Sequence, residues 1–165
     1  MFQIRNAGVN DIPAIQKITN ETWWPTYSPI LDAAQIAFML DHIYSTEALT
    51  RAMTSGGQQF LIIESESGPQ GFASYDNSVN AERGVKLHKL YVLPGNHNKG
   101  FGKALVLEVK ARANEMSADF VYLNVNRYNT ARTFYEKLGF SVEREEDVPI
   151  GQYWMNDYVM RLNLK

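Results

Sequence analysis

The sequence predicts a mixed α/β fold in which a central twisted sheet of about seven strands carries helices on both faces. The first observation is the order of the hydrophobic patterns: a strand, helices, antiparallel strands and then β-α-β-α-β-β. The second is the length of 165 residues, which fits one domain spanning residues 1–165. The third is the composition, 45% hydrophobic and 21% charged, which is typical of globular proteins.

The first half of the chain is predicted to be mainly helical after a short edge strand at residues 2–5. Asn10 and Asp11 can cap the first helix. This helix is expected to stop near Trp24, because Pro25 disfavours the helical conformation in the residue before it. Two further helices are predicted at residues 32–44 and 45–53.

The second half is predicted to supply most of the sheet. Strands at 59–64 and 71–75 are joined by a turn that contains Gly, Pro and Ser. The other predicted elements are a strand at 85–93, a helix after Gly102, a strand at 119–125, a helix at 129–138 ended by Gly139, and strands at 140–145 and 153–163.

The stretch from Val85 to Lys110 joins a strand, a tight loop and a helix. The loop holds Gly100 and Gly102, with Lys99 and Lys103 beside them. A helix that begins in such a loop presents free N–H groups and the positive end of its dipole. Glycine lets a ligand approach the main chain, and lysine adds positive charge. This pattern predicts a phosphate or pyrophosphate site.

The spacing of the glycines excludes two common phosphate-binding loops. A dinucleotide fingerprint needs a third glycine three residues after Gly102, where Leu105 stands. A nucleoside-triphosphate loop needs Lys directly after its second glycine, but Phe101 follows Gly100. Gly102 is followed by Lys103 but then lacks the required Ser or Thr.

Charge and composition argue against several partners. A net charge of −2 and a pI near 5.9 give no electrostatic reason to expect nucleic acid or an anionic membrane. With no cysteine there is no thiolate metal site or cysteine nucleophile, and His42, His88 and His97 show no paired ligand spacing, so no metal is expected. The absence of a long apolar run or a signal-peptide pattern predicts a cytoplasmic protein without membrane contact.

Two motifs resemble the GNAT superfamily of N-acetyltransferases. The first is its Gln/Arg-x-x-Gly-x-Gly/Ala loop, here His97 to Gly102 after Val92-Leu93-Pro94, with His97 departing from the usual Gln or Arg. The second is NTARTFYEKLGF from Asn129 to Phe140, although Asn129 lies six residues before Tyr135 where many members have seven. The runs NETWWPTYSPI and MNDYVM are also similar to the PaiA-like polyamine acetyltransferases.

The resemblance implies the GNAT fold over the whole chain, with acetyl-CoA as cosubstrate and CoA as product. It assigns the acetyl carbonyl and the pantetheine amides to the main chain of Leu90, Tyr91 and Val92, where the strand at 119–125 splays away. The other residues that it implies for CoA binding are His97, Asn98, Lys99, Gly100, Phe101, Gly102, Lys103, Asn129 and Tyr135.

The resemblance also implies catalytic roles. Tyr135 is the candidate general acid, since a phenol with a pKa near 10 stays protonated at neutral pH and can protonate a departing thiolate. The base is open, because many members use a glutamate on the central strand and none is present there. His88 is the candidate, since it can titrate near neutrality and is expected on the same strand face as Leu90 and Val92. Glu82 or a water chain are the alternatives.

The acceptor amine is expected opposite the CoA arm, between the loop after the first helix and the last two strands. Aromatic faces with acidic neighbours suit a cationic amine or polyamine. The residues expected there are Trp23, Trp24, Tyr27, Tyr153 and Trp154, with Glu21 and Asp32 nearby, although Trp23 also continues the apolar face of the first helix.

Three functions therefore fit the sequence. The favoured one is an acetyl-CoA-dependent N-acetyltransferase that acts on a small amine or polyamine by direct attack in a ternary complex. The alternatives are a protein N-terminal or lysine acetyltransferase, and a non-catalytic acyl-CoA-binding or regulatory module of the same fold. Homodimers are common in such folds, but the sequence shows no interface.

Overall fold

The computed structural model describes residues 1–96 and 98–165 and contains one seven-stranded sheet in the order β1-β2-β3-β4-β5-β7-β6. The strands are β1 Phe2–Ala7, β2 Gln58–Ser65, β3 Gly68–Asp76, β4 Gly84–Val92, β5 Phe120–Asn126, β6 Ser141–Ile150 and β7 Tyr153–Asn163. The helices are α1 Ile12–Tyr27, α2 Ala33–Tyr44, α3 Thr46–Thr54, α4 Phe101–Glu115 and α5 Ala131–Lys137, with a 3₁₀ turn at Val9–Asp11. The predicted fold class is confirmed.

The first helix is longer than predicted, because α1 continues through Pro25 to Tyr27. Proline lacks an N–H, so Pro25 removes one hydrogen bond of the helix, and only Thr26 and Tyr27 of α1 follow it. Trp23 and Tyr27 lie one turn apart and are both buried, and the Ser28 N–H closes the last turn on the Trp24 carbonyl at 3.0 Å. Packing of this apolar face therefore outweighs the tendency of proline to end the helix, and the predicted end near Trp24 is wrong.

Other boundaries differ by a few residues. The β2–β3 turn is only two residues long, and Gly68 already pairs with Ser65 as part of β3. Helix α5 begins at Ala131 rather than Asn129, because the Asn129 side-chain oxygen accepts a hydrogen bond from the Ala131 N–H at 2.9 Å. Strand β6 extends to Ile150, where it still pairs with Tyr153 of β7.

The sheet separates two hydrophobic cores. On one face, α4 and α5 pack on alternate residues of the strands, among them Leu87 and Leu123. On the other face, α1, α2 and α3 cover β2, β3 and β4 through residues such as Phe60 and Phe72. The first face is called here the α4/α5 face and the second the α1–α3 face. In the part of the chain that the structure describes, no helix has the length and apolarity needed to cross a membrane.

Strand β4 leaves its neighbour β5 after a short parallel pairing. The two strands pair only at three positions, from Gly84–Phe120 to Lys86–Tyr122. On its other side β4 pairs with β3 as far as Val92, so β5 is the strand that diverges. This opening in the sheet is the feature that positions the candidate site.

Lys89 is a buried cation on the α1–α3 face. It is 9% exposed, its Nζ donates to the Gln58 side-chain oxygen at 3.0 Å, and it lies 5.5 Å from the centre of the Phe60 ring. Burial, with a smaller contribution from Lys86, lowers its pKa from 10.5 to about 8. The folded protein therefore holds this proton less tightly than the unfolded chain does.

Replacing Lys89 with methionine is expected to stabilise the fold at neutral pH by up to roughly 3 kcal/mol. Between the two pKa values the unfolded chain binds a proton that the folded state does not, so this group makes stability rise with pH there. Urea unfolding of both proteins at several pH values should show the difference shrinking above pH 8. A difference that does not change with pH would contradict the assignment.

Candidate active site

A cleft of about 630 Å³ opens where β4 and β5 diverge. Its walls come from the end of α1 and the loop after it, the end of β4, the start of α4 and the start of α5. The lining residues are Pro25, Thr26, Pro29, Ile30, Leu90, Tyr91, Val92, Gly100, Gly102, Lys103, Tyr128, Asn129, Thr130, Ala131, Phe134 and Tyr135.

The end of β4 has an unpaired edge on the cleft side. The Leu93 N–H donates to the Gln70 carbonyl of β3 at 2.8 Å. Because main-chain groups alternate in direction along a strand, the N–H groups of Leu90 and Val92 face the side that β5 has left. The main chain of Tyr91 instead faces β3, so this residue reaches the cleft through its side chain. The geometry therefore suits a ligand amide or carbonyl at Leu90 and Val92.

The start of α4 forms the second wall. Gly100 precedes the helix with φ of 79°, a left-handed conformation that glycine adopts without strain. The first N–H groups of a helix have no intrahelical acceptor, and here they belong to Phe101, Gly102 and Lys103. A β-carbon at Gly102 would lie 3.3 Å from Cζ of Phe134, so the main chain lies close to the opposite wall.

The remaining residues predicted for the loop differ in placement. The side chain of Phe101 is buried in the α4/α5 core and meets Phe2 edge-on at 5.7 Å, so only its main chain can serve a ligand. Asn98 and Lys99 are exposed beside the cleft wall that Gly100 begins. His97 lies outside the described residues.

Tyr135 is brought to the cleft by α5. It lines the cavity, is 8% exposed, and packs against Phe134 and Phe140 with ring centres 5.2 and 5.7 Å away. Burial raises its pKa above the ordinary value, and the nearby Tyr27 raises it further. The phenol is therefore protonated at neutral pH, which is the state that a general acid needs.

A cluster of tyrosines lies under the β4 wall. The hydroxyls of Tyr27 and Tyr91 are 3.5 Å apart, and Trp23 packs on Tyr27 at 4.5 Å between ring centres. Burial raises the pKa of both tyrosines, while for Tyr27 hydrogen bonds to Tyr91 and Asn129 oppose the rise. These hydroxyls can therefore donate or accept a hydrogen bond in their neutral form.

His88 does not share a face with Leu90 and Val92, contrary to the prediction. The register of β3 and β4 shifts between Ser74–Lys89 and Tyr75–Leu87, which leaves His88 in a β-bulge. The bulge reverses the alternation of the side chains after it. Leu87 and Leu90 both contact the α4/α5 core, so His88 is turned away from them.

The ring of His88 is held by a carboxylate. Its Nε2 lies 2.6 Å from Oδ1 of Asp76, and the other oxygen of Asp76 accepts the Lys86 N–H at 2.9 Å. Burial alone would raise the pKa of Asp76, but these two hydrogen bonds bring it below the ordinary value. His88 is not among the residues that line the cleft, so a role as base would require a connection through water.

The aromatic residues predicted for the acceptor differ in burial. Trp23 is 3% exposed and Tyr27 is 5% exposed, so both belong to the core of the α1–α3 face. Trp24 and Trp154 are exposed, and the Trp154 carbonyl accepts a hydrogen bond from Gln35 at 2.8 Å. Tyr153 packs on Phe38 at 5.3 Å. None of the five lines the described cleft.

Comparison with known families decides the classification. The model of the GNAT acetyltransferase domain family matches residues 28–161. The chain belongs to the GNAT family of acetyltransferases. The match covers the cleft walls from Pro29 to Tyr135 and begins directly after α1.

Individual relatives match this chain over most of their length. An uncharacterized N-acetyltransferase of Mycobacterium bovis is 29% identical over 153 residues, which cover 92% of this chain and 97% of the relative. A spermidine N(1)-acetyltransferase of Thermoplasma acidophilum is 28% identical over 86% of this chain and 89% of its own. The crystal structure of the PaiA N-acetyltransferase from Thermoplasma acidophilum in complex with coenzyme A superposes with a TM-score of 0.82, at 26% identity over 99% of both chains.

Sequence reasoning missed part of this GNAT site. Pro25, Thr26, Pro29 and Ile30 line the cleft because α1 continues beyond the predicted break and directs Trp23 inward. Asp157, which is 7% exposed in the middle of β7 and does not line the cleft, was not singled out either. A charged residue within the apolar run YWMNDYVM was the available signal, since buried carboxylates are rare unless paired.

Proposed function

We propose that this GNAT protein transfers the acetyl group of acetyl-CoA to a primary amine, with a small amine or polyamine as the acceptor. The observation that carries the proposal is the cleft in which the open N–H groups of β4, the N-terminus of α4 and the Tyr135 hydroxyl meet. Each of these supplies one requirement of acetyl transfer from a thioester.

The residues on the walls fit an acyl-CoA. The N-terminus of α4, with Lys103 beside it, offers N–H donors and positive potential for a pyrophosphate. The free N–H groups of Leu90 and Val92 offer donors to pantetheine amides and to the thioester carbonyl. The CoA-bound PaiA structure supports this reading, since that protein shares the fold over 99% of both chains.

The chemistry follows from the charges that develop. An ammonium group must lose a proton before its nitrogen can attack the carbonyl carbon, and the strand N–H groups can stabilise the oxyanion that forms. The C–S bond then breaks and the sulfur needs a proton, which Tyr135 can give. Burial raises the pKa of Tyr135. A thiolate that forms in the same buried cleft also becomes more basic, because burial disfavours both anions.

The acceptor class rests on two lines of support. The relative from Thermoplasma acidophilum is named a spermidine N(1)-acetyltransferase, which favours a polyamine or another small amine. The cleft lining also carries the tyrosines Tyr91, Tyr128 and Tyr135, whose rings and hydroxyls suit a cationic amine. A fold match alone does not select the acceptor, because the ribosomal-protein-S18-alanine N-acetyltransferase of Escherichia coli superposes with a TM-score of 0.74 at 17% identity.

The proposal is tested by thiol release from acetyl-CoA with a panel of acceptors. Propylamine, putrescine, spermidine, an amino-acid amide and a peptide with a free N-terminus should be compared at equal concentration. We expect release that depends on the small amines, with CoA and the monoacetylated amine as products. Release with the peptide alone would favour a protein acetyltransferase. Binding of CoA without release for any amine would favour the non-catalytic module.

A further inference from the structure

Asp157 is a buried carboxylate beside the opening of the sheet. It lies on β7, where it pairs with Asn126 of β5 on one side and Glu146 of β6 on the other. Its exposed fraction is 7%. Asn126 belongs to the part of β5 that no longer pairs with β4, so Asp157 is one strand away from the gap.

Asp157 lies on the face opposite Tyr135. Leu123 and Val125 of β5 pack against α4 and α5, so Asn124 and Asn126 between and after them point to the other face. Asp157 is directly across from Asn126 and shares its face. A thioester in the gap would therefore have Tyr135 on one side of the sheet and Asp157 on the other.

One oxygen of Asp157 is unsatisfied. Oδ2 accepts a hydrogen bond from the Asn124 side-chain amide at 3.2 Å, whereas Oδ1 is buried without a hydrogen-bond partner among the described residues. Arg127 has other partners: its Nε donates to the Asp157 main-chain carbonyl at 3.1 Å and its other end pairs with Asp147 at 2.7 Å. A buried, unpaired carboxylate oxygen costs free energy unless a ligand satisfies it.

The surrounding charges favour a cation at Oδ1. Glu146 shares the Asn124 amide at 3.1 Å, so two carboxylates converge on one donor. Burial raises the pKa of Asp157 and Glu146 raises it further, while the Asn124 hydrogen bond and the charges of Lys86 and Arg127 oppose the rise. Arg144 pairs with Glu146 at 3.0 Å and offsets part of the repulsion between these two carboxylates, and a positively charged ligand would relieve the rest. The charge of Asp157 also contributes to the raised pKa of Tyr27. The Tyr27 hydroxyl lies 3.5 Å from the hydroxyl of the cleft residue Tyr91.

Asp157, like His88, is not among the residues that line the cleft, so we propose that its carboxylate takes the proton of the acceptor's ammonium group through a bridging water molecule. This inference rests on the proposed function. One proton passes from the ammonium to Asp157, the nitrogen forms its bond to the carbonyl carbon, and the C–S bond breaks. The sulfur receives a proton from Tyr135, and the remaining extra proton on the nitrogen restores the Tyr135 phenol. The sum is an amide, CoA thiol and one proton that Asp157 returns to solvent.

The test compares Asp157→Asn with Asp147→Asn in the full-length chain. Asparagine keeps the size of the side chain and can still accept a hydrogen bond from the Asn124 amide. It neither binds an ammonium strongly nor takes a proton. Asp147 is a matched control, because it lies on the neighbouring strand β6 and its side chain is 57% exposed. Steady-state kinetics with each active amine of the panel, and CoA titrations by calorimetry, are measured for all three proteins.

We expect kcat/KM for the amine to fall by about 100-fold or more in Asp157→Asn, with CoA affinity unchanged. The acid limb of the wild-type pH–rate profile should lie above the ordinary pKa of an aspartate and disappear in the variant, since the carboxylate form is the active one. Raising the pH should restore part of kcat by supplying neutral amine, while KM stays high. Asp147→Asn should retain wild-type kinetics.

Stability separates this role from a structural one. A carboxyl group whose pKa is raised by folding stabilises the fold at low pH and loses that contribution as the pH rises through the folded pKa. Asp157→Asn should therefore have a Tm equal to or above wild type at neutral pH. Wild-type kinetics in Asp157→Asn, whatever its Tm, would overturn the inference. If the wild-type protein acetylates no amine, the proposed function fails and this inference fails with it.

Discussion

Replacing Tyr135 with phenylalanine is expected to lower kcat by about 100-fold or more while the affinity for CoA stays within about twofold. The phenol is 8% exposed on the cleft wall, and the ring packs between Phe134 and Phe140. Phenylalanine keeps this packing and removes only the proton that the leaving sulfur needs. The loss should therefore appear in turnover and not in binding.

Thiol-release kinetics and calorimetric CoA binding measure the two quantities separately. Tyr122→Phe is the control, because Tyr122 also lies on a strand near the opening but its hydroxyl faces Asn80 at 3.4 Å outside the cleft. The control should keep wild-type turnover. Equal kcat values for Tyr135→Phe and the wild type would remove Tyr135 from the reaction.

Replacing Gly102 with leucine is expected to weaken CoA binding by at least about 100-fold, close to 3 kcal/mol. A β-carbon there would already lie 3.3 Å from Cζ of Phe134 and 3.8 Å from Cγ2 of Val92. The rest of the leucine side chain would fill the space above the first N–H groups of α4. Leucine is a better helix former than glycine by roughly 1 kcal/mol, so the helix itself should not suffer.

The same exchange at Gly8 is the control for Gly102→Leu. No atom lies within 4 Å of a β-carbon built at Gly8, and its φ of −133° suits any residue. Calorimetry with CoA should show normal affinity for Gly8→Leu, and thermal unfolding should show that both variants fold. Normal CoA affinity in Gly102→Leu would place the nucleotide elsewhere.

The sequence predicted the fold well where local chemistry decides the structure. The two glycines before α4, the apolar spacing of the helices and the turn residues between strands act over a few residues, so a reading of the chain can recover them. The loop was identified from residues that lie together in the sequence. Pro25 shows the limit, because burial of Trp23 and Tyr27 in distant packing outweighs the local effect of proline.

The site was predictable only in part, because its chemistry depends on pairings between distant strands. The bulge at His88 arises from the register between β3 and β4, and no pattern within β4 reveals it. Asp157 acquires its environment from Asn124 of β5 and Glu146 of β6, which lie 33 and 11 positions away in the chain. The alternation of side chains along a strand therefore predicted the wrong face for His88 and did not single out Asp157.

The most direct test of this account is mass spectrometry of a reaction that contains the wild-type protein, acetyl-CoA and spermidine, with propylamine in parallel. The account predicts that each amine gains one acetyl group in an amount equal to the CoA released, and that omitting the protein abolishes the product. Release of CoA without an acetylated amine, or an unchanged amine and intact acetyl-CoA, would contradict the assignment of amine acetyl transfer to the cleft between β4 and β5.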